Sequence, residues 1–210
     1  VPFYVDERVI VPRSFIGELL AGDILGPDGL SLIPDGTEIS SALDLCTGSG
    51  CLAILAARAF PGAEMHGADI SADALEVARR NIDEHGLGER ITLHRGDLFA
   101  PLKGRCFDLI LANPPYVAAA AMAALPAEYR AEPELALAGG ADGLDVVRRI
   151  LADAADYLTP QGGLLCEIGA GRDILEAEYP DLPFFWIDTE ASAGEVFWLG
   201  GNDWAKNHKS

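Results

Sequence analysis

Short apolar runs alternating with helix-period segments are the feature that most narrows what this chain can fold into. Ala42 to Cys46, Glu64 to Ala68, Ile91 to His94, Phe107 to Ala112 and Leu164 to Ile168 each read as strands. Between them, CLAILAARAF is apolar on nearly every side and predicts a buried helix. Ser71 is placed to cap a helix that buries Leu75, Ala78 and Ile82 and stops at Gly86. A third helix, Leu144 to Leu158, buries Val147, Ile150, Leu151, Ala154 and Leu158. Strands separated by helices need crossover connections, so the sheet is parallel and covered on both faces. PFFWID and EVFWLG then predict an antiparallel pair closing one edge. The expected fold is α/β, a doubly wound, mostly parallel seven-stranded sheet whose ligands sit at the carboxyl ends of the strands. Ahead of it, FYVDERVIVPR predicts an N-terminal β-hairpin, stopped by Pro12 before a short helix near Ser14 to Leu20. The expected organisation is 1–21 for this hairpin and helix, 22–200 for the main domain, which opens on a glycine- and proline-rich loop, and 201–210 for a tail.

Charge bounds the partners. Lys and Arg number 15 against 33 Asp and Glu, a net of −18, and sixteen carboxylates from residue 120 to 203 face only Arg130, Arg148, Arg149 and Arg172. Such a chain repels a phosphate backbone, so broad nucleic-acid binding is not expected, whereas a basic protein is attracted. Solubility alone is the competing account of the acidity. No run approaches the roughly 18 to 20 apolar residues of a membrane-spanning helix, and VPFYVDERVIVPR does not read as a signal peptide. The expectation is a cytoplasmic protein without a membrane. Cys46, Cys51, Cys106 and Cys166 form no CxxC pair, and His66, His85, His94 and His208 are scattered singly, so neither disulfide nor metal is expected. The start at Val1 suggests a fragment with something missing upstream.

Three strand ends carry candidate chemistry. Asp44-Leu45-Cys46-Thr47-Gly48-Ser49-Gly50 is a strand entering a glycine-rich turn and then a helix. Gly48 and Gly50 allow a sharp bend and close approach, and the helix amides favour an anion. The same residues with Ala53 also satisfy the dinucleotide pattern, but Asp44 just before the turn suits a ligand ammonium better than a pyrophosphate. An amino-acid-bearing nucleoside accounts for both ends of the loop. Asp69, followed by Ile70, ends the second strand and suits a ribose diol. Asp97 ends the third, placed for an adenine amino group with Leu98 over the ring. Asn113-Pro114-Pro115-Tyr116 follows the strand FDLILA. A planar amide or amine nitrogen is a poor nucleophile because its lone pair is delocalised. The Asn113 side-chain oxygen and the Pro114 carbonyl can each accept one substrate N–H, the two rings fix the backbone, and Tyr116 can stack on the flat group.

DLCTGSG, Asp69, Asp97 and NPPY, in this order and spacing, resemble the S-adenosylmethionine-dependent methyltransferases of class I, Rossmann-like fold. NPPY is similar to the motif of those that methylate planar amino groups. The extended match of VDERVIVPRS before the sheet and EPELALAGGADGLDVVRRIL after it narrows the resemblance to the protein N5-glutamine methyltransferases, over about Phe3 to Leu199. Cys46 stands where the branch acting on the GGQ loop of release factors usually has glycine, and CTGSGC with LEAEYPDLPFFWID resembles more closely the branch acting on large-subunit ribosomal protein three. The resemblance implies S-adenosylmethionine as cofactor and S-adenosylhomocysteine as product. It implies Cys46 to Gly50, Asp69 and Leu98 around the cofactor, Asn113 beside the methyl donor, and Asn113 to Tyr116 as the substrate site. It also implies an upstream helical docking domain, absent from this sequence. The release-factor activity, DNA adenine methylation and a catalytically silent cofactor-binding module are the alternatives. DNA adenine methylation lacks the expected recognition domain and basic surface.

Overall fold

A computed structural model describes residues 1–21, 32, 38–126, 129, 132–188 and 194–205. The expected 22–41 loop lies mostly outside them. The strands are β1 (Ser41–Leu45), β2 (Glu64–Asp69), β3 (Ile91–Arg95), β4 (Phe107–Ala112), β5 (Leu158–Glu167), β6 (Phe185–Ile187) and β7 (Val196–Gly200). They form one sheet in the order β3-β2-β1-β4-β5-β7-β6. The first five are mutually parallel, while β7 runs antiparallel to both β5 and β6. Strand order reverses between β1 and β4, which pair directly with Leu45 beside Ala112. The loops after these two strands diverge to opposite faces and open a crevice between them, the switch point where such sheets take ligands.

Side-chain alternation sorts the core into two layers. Ala42, Met65, Leu109, Leu111 and Leu165 pack against α1 (Phe15–Ala21) and α2 (Cys51–Ala59) on one face. Leu43, Leu45, Ile110, Ala112, Leu164 and Cys166 pack on the other face with α5 (Asp145–Asp153) and α6 (Arg172–Glu178). α3 (Ala72–Glu84) starts as its sequence predicts, the Ser71 hydroxyl accepting the Ala74 N–H at 3.1 Å. α2 ends where the Arg90 guanidinium takes the carbonyls of Ala57, Phe60 and Ala63.

Three expectations change. The hairpin's turn forms, with the Val9 N–H on the Asp6 carbonyl, but residues 1–14 contain no strand. Its polar groups are satisfied elsewhere: the Tyr4 N–H and C=O both bond the Asn81 side chain, and Arg8 folds back on Asp6. The segment is an arm laid on the domain. The third helix ends at Asp153 in a short 3-10 turn, and Leu158 already belongs to β5. The expected tail is partly core: Gly201–Ala205 forms α7, and the Trp204 side chain is 1% exposed against the α5 layer. Burying an aromatic of that size contributes about 1.5–3 kcal/mol, so 201–205 belongs to the domain; residues 206–210 lie outside the described ones. α4 (Ala119–Met122) is a single turn after the NPPY segment. Among the described residues no helix is long and apolar enough to cross a membrane.

Candidate active site

In β1, Leu43 and Leu45 point to the α5 layer, so Asp44 must point to the other face, at the start of α2. There its Oδ2 accepts the Thr47 hydroxyl at 2.5 Å and the Ala53 N–H at 3.0 Å. Oδ1 is buried without a partner, and burial raises the carboxyl from 3.8 to about 7. Asp44 therefore braces the loop from behind, off the cavity wall. The chain leaves β1 through three left-handed residues, Cys46 (φ 57), Gly48 (φ 54) and Gly50 (φ 78). Gly50 needs its missing side chain, since a Cβ would meet that of Ala78 at 3.1 Å. Thr47, Ser49 and Gly50 are buried, the Thr47 N–H on the Ala68 carbonyl and the Ser49 carbonyl on Asn81. They build the loop, while Cys46 and Gly48 face a cavity.

That cavity lies at the crevice and is also lined by Asp69, Ile70, Asp97, Leu98, Asn113 and Pro115. Asp69 Oδ2 accepts the Gly48 N–H and Oδ1 the Ser71 N–H, both at 2.9 Å. A carboxylate offers about four lone-pair directions, so acceptor capacity remains on both oxygens, suited to a vicinal diol. Burial raises Asp69, and the Ser71 and Gly48 amides oppose the rise. Asp97 carries a partner that sequence reasoning missed: Arg149 of α5, 2.6 Å from its Oδ2 and itself on the cavity wall.

A second cavity adjoins the first. Pro114, Tyr116, Val117, Arg13 and Phe15 line it, and Ile10, Asn113, Pro115 and Ala136 line both. Among the described residues the Asn113 side chain makes no hydrogen bond, so a free carboxamide stands where the two spaces meet. Tyr116 donates its hydroxyl to Glu167 at 3.1 Å. Burial and then the Glu167 charge raise its pKa, so it remains a neutral phenol.

The arm forms the outer wall. Arg8, Val9 and Ile10 line the first cavity and Ile10, Val11, Arg13 and Phe15 the second. Glu132 pins it, its Oε1 accepting the Val11 N–H at 3.1 Å and pairing with Arg13 at 2.5 Å. The segment 139–143, whose role was not legible, backs the NPPY turn. The Gly139 N–H bonds the Val117 carbonyl, and the Ala119 N–H bonds the Gly140 carbonyl. A Cβ on Gly139 would lie 2.6 Å from the Gly143 carbonyl oxygen and 2.7 Å from Tyr116 Cα, while one on Gly143 would strike the Tyr116 carbonyl oxygen. Backbone meets backbone here, and neither side can give way cheaply. Gly139→Ala is expected to lower unfolding free energy by about 1–3 kcal/mol, read as a shift of the urea midpoint; an unchanged midpoint contradicts this packing.

The structure thus gathers Cys46, Gly48, Asp69, Ile70, Asp97, Leu98, Asn113 and Pro115 on one cavity and Asn113, Pro114, Pro115 and Tyr116 on its neighbour. Arg149, Glu167 and the arm escaped the sequence reading, because each meets the site through contacts distant in the chain. His66 and His94, which looked isolated, sit 2.9 Å apart between neighbouring strands, away from both cavities. No described cluster of His, Cys, Asp or Glu could hold a metal ion, and the four cysteines are free thiols. The carboxylates after residue 120 do not line the second cavity among its described walls.

A family profile described as "Methyltransferase small domain" matches residues 30–128. The ribosomal protein uL3 glutamine methyltransferase of Bradyrhizobium diazoefficiens is 64% identical over 204 residues, covering 96% of this chain and 64% of that protein. Its namesake in Burkholderia pseudomallei is 54% identical over 209 residues, covering 96% and 66%. The chain therefore spans about two thirds of the length of these curated relatives. Among solved structures, an RNA methyltransferase from Salinibacter ruber in complex with S-adenosyl-L-homocysteine superposes with a TM-score of 0.56 at 20% identity, covering 90% of this chain and 93% of that one. The α/β sheet is that of the class I methyltransferases.

Proposed function

We propose, from the similarity to these relatives and from the geometry of the two cavities, that the chain transfers a methyl group from S-adenosylmethionine to the side-chain amide nitrogen of a glutamine in large-subunit ribosomal protein three. The observation that carries this reading is the unpartnered Asn113 carboxamide at the junction of two cavities. One cavity has the acceptors for an adenosyl group; the other is walled by the NPPY turn. The residues present fit the cofactor: spare acceptor capacity on Asp69 for the ribose, Asp97 and Leu98 toward the adenine, and the Cys46 to Gly48 turn toward the amino-acid end.

When bound, the cofactor supplies an electrophilic methyl carbon on a sulfonium. The protein's task is the nucleophile. Asn113 Oδ1 and the Pro114 carbonyl each accept one N–H of the glutamine amide, turning the nitrogen lone pair out of conjugation and toward the first cavity. Pro114 and Pro115 hold both acceptors with little backbone freedom. With the nitrogen so aimed by Asn113 and Pro114, its lone pair would face the methyl carbon that the cofactor would supply. A strong base is not required, because proton loss follows methyl arrival. Tyr116 and the arm restrict water around the amide.

Mass spectrometry after incubation with labelled cofactor tests this. Isolated ribosomal protein three is expected to gain one methyl on a glutamine. Label only on the GGQ glutamine of a release factor would transfer the reading to that substrate, and cofactor binding with no incorporation anywhere would leave a silent binding module. The −18 charge supports a basic partner, and methylation of the intact protein is expected to slow roughly threefold to tenfold between low salt and about 0.3 M. A rate indifferent to ionic strength would return the charge to solubility.

A further inference from the structure

Glu167 ends β5 with its side chain fully buried, and no arginine or lysine pairs with it among the described residues. A carboxylate so placed is costly unless its lone pairs are used. Here they are divided between two elements. Oε1 accepts the Tyr116 hydroxyl at 3.1 Å. Oε2 accepts the Ser14 hydroxyl at 2.6 Å and the Phe15 N–H at 2.9 Å, where the arm enters α1. Tyr116 belongs to the NPPY turn, and Arg13 and Phe15, on either side of Ser14, line the same second cavity. One carboxylate therefore joins two walls of that cavity that are about a hundred residues apart in sequence.

We infer that Glu167 is a positioning residue for methyl transfer, fixing the NPPY turn through Tyr116 and the facing arm through Ser14 so that the glutamine amide is held in line. The inference rests on the reading of the second cavity as the glutamine site. Each oxygen carries a different share. Losing the Tyr116 bond loosens the turn that orients the nucleophile and lowers kcat. Losing the Ser14 bond loosens the wall that receives the substrate and raises KM and the substrate dissociation constant.

The test compares Glu167→Gln, Tyr116→Phe, Ser14→Ala and the Tyr116→Phe/Glu167→Gln double variant with the wild-type chain, on ribosomal protein three as substrate. A carboxamide has the size of the carboxylate but turns an N–H toward one of the donors. Glu167→Gln is expected to lower kcat roughly tenfold to a hundredfold while S-adenosylhomocysteine affinity stays within threefold, which also certifies folding. Ser14→Ala is expected to raise KM several-fold, with a matching rise in the dissociation constant for the substrate protein measured without turnover. In the double variant, Glu167→Gln should cost kcat much less than it does alone, because Tyr116 no longer carries the bond. A wild type that methylates, with Glu167→Gln matching it within twofold in kcat and KM, overturns the inference alone. Joint loss of S-adenosylhomocysteine binding and thermal stability makes Glu167 merely structural and overturns it too. A wild type inactive on the substrate sinks the glutamine-site reading and the inference with it.

Discussion

Asn113→Ala is expected to cut methyl transfer by about a hundredfold to a thousandfold while cofactor affinity changes no more than about threefold. Positioned hydrogen-bonding groups that act on the reacting atoms carry effects of that order. Asn113 touches both cavities, so a loss confined to cofactor binding was open to it on geometry alone. The first cavity, however, keeps Asp69, Asp97, Leu98 and the Cys46 to Gly48 turn without it. The glutamine loses one of its two acceptors, and the nitrogen falls back into conjugation. Single-turnover rates with saturating cofactor, beside calorimetric affinities, separate the two. Turnover within threefold of wild type would remove Asn113 from the chemistry.

Raising pH from about 4 to about 7 is expected to destabilise the fold through Asp44 by roughly 4 kcal/mol, and Asp44→Asn should flatten that fall. Burial lifts the Asp44 carboxyl to about 7, against 3.8 in the unfolded chain. Between those values the unfolded state has released the proton that the folded state still holds, so each pH unit subtracts about 1.36 kcal/mol from stability. The contribution is complete below 3.8 and gone above about 7. His66 and His94 oppose it, since burial lowers both and their neutral forms favour the fold as pH rises. Asp142, held down by Arg148, also works in the opposite sense, at more acid pH. Subtracting the Asp44→Asn stability curve from that of the wild type isolates the one group. Curves that run parallel from pH 4 to 8 would show that Asp44 is ionised in the folded protein.

What could be read in advance was what is local. The first strand, the CTGSG turn and the α2 helix are contiguous, and NPPY is tied directly to β4, so period and turn chemistry placed both at the crevice. Asp44 lies at the end of β1, where the sequence puts it, with its side chain turned to the helix side of the turn. The signal was present, since Leu43 and Leu45 fix its parity, and alternation sends it to the helix face. The arm misled because Val9 and Val11 around Asp6-Glu7 carry a hairpin's pattern, while Asn81, Glu132 and Glu167 supply the bonds that a partner strand would have made. Gly139 and Gly143 looked like a loop because the backbone they press against, at Tyr116, lies across the chain. Trp204 looked like part of a tail because burial beneath the α5 layer leaves no local pattern in five residues.

Ile10, Asn113, Pro115 and Ala136 each present a surface to both cavities. Whatever orders these four for one ligand has already met part of the entropic cost of ordering them for the other. On the proposed function the two binding equilibria would share these residues, and any linkage between them would be reciprocal: the factor by which cofactor changes the affinity for the protein substrate would equal the factor by which the substrate changes that for cofactor. Product would inherit the same coupling.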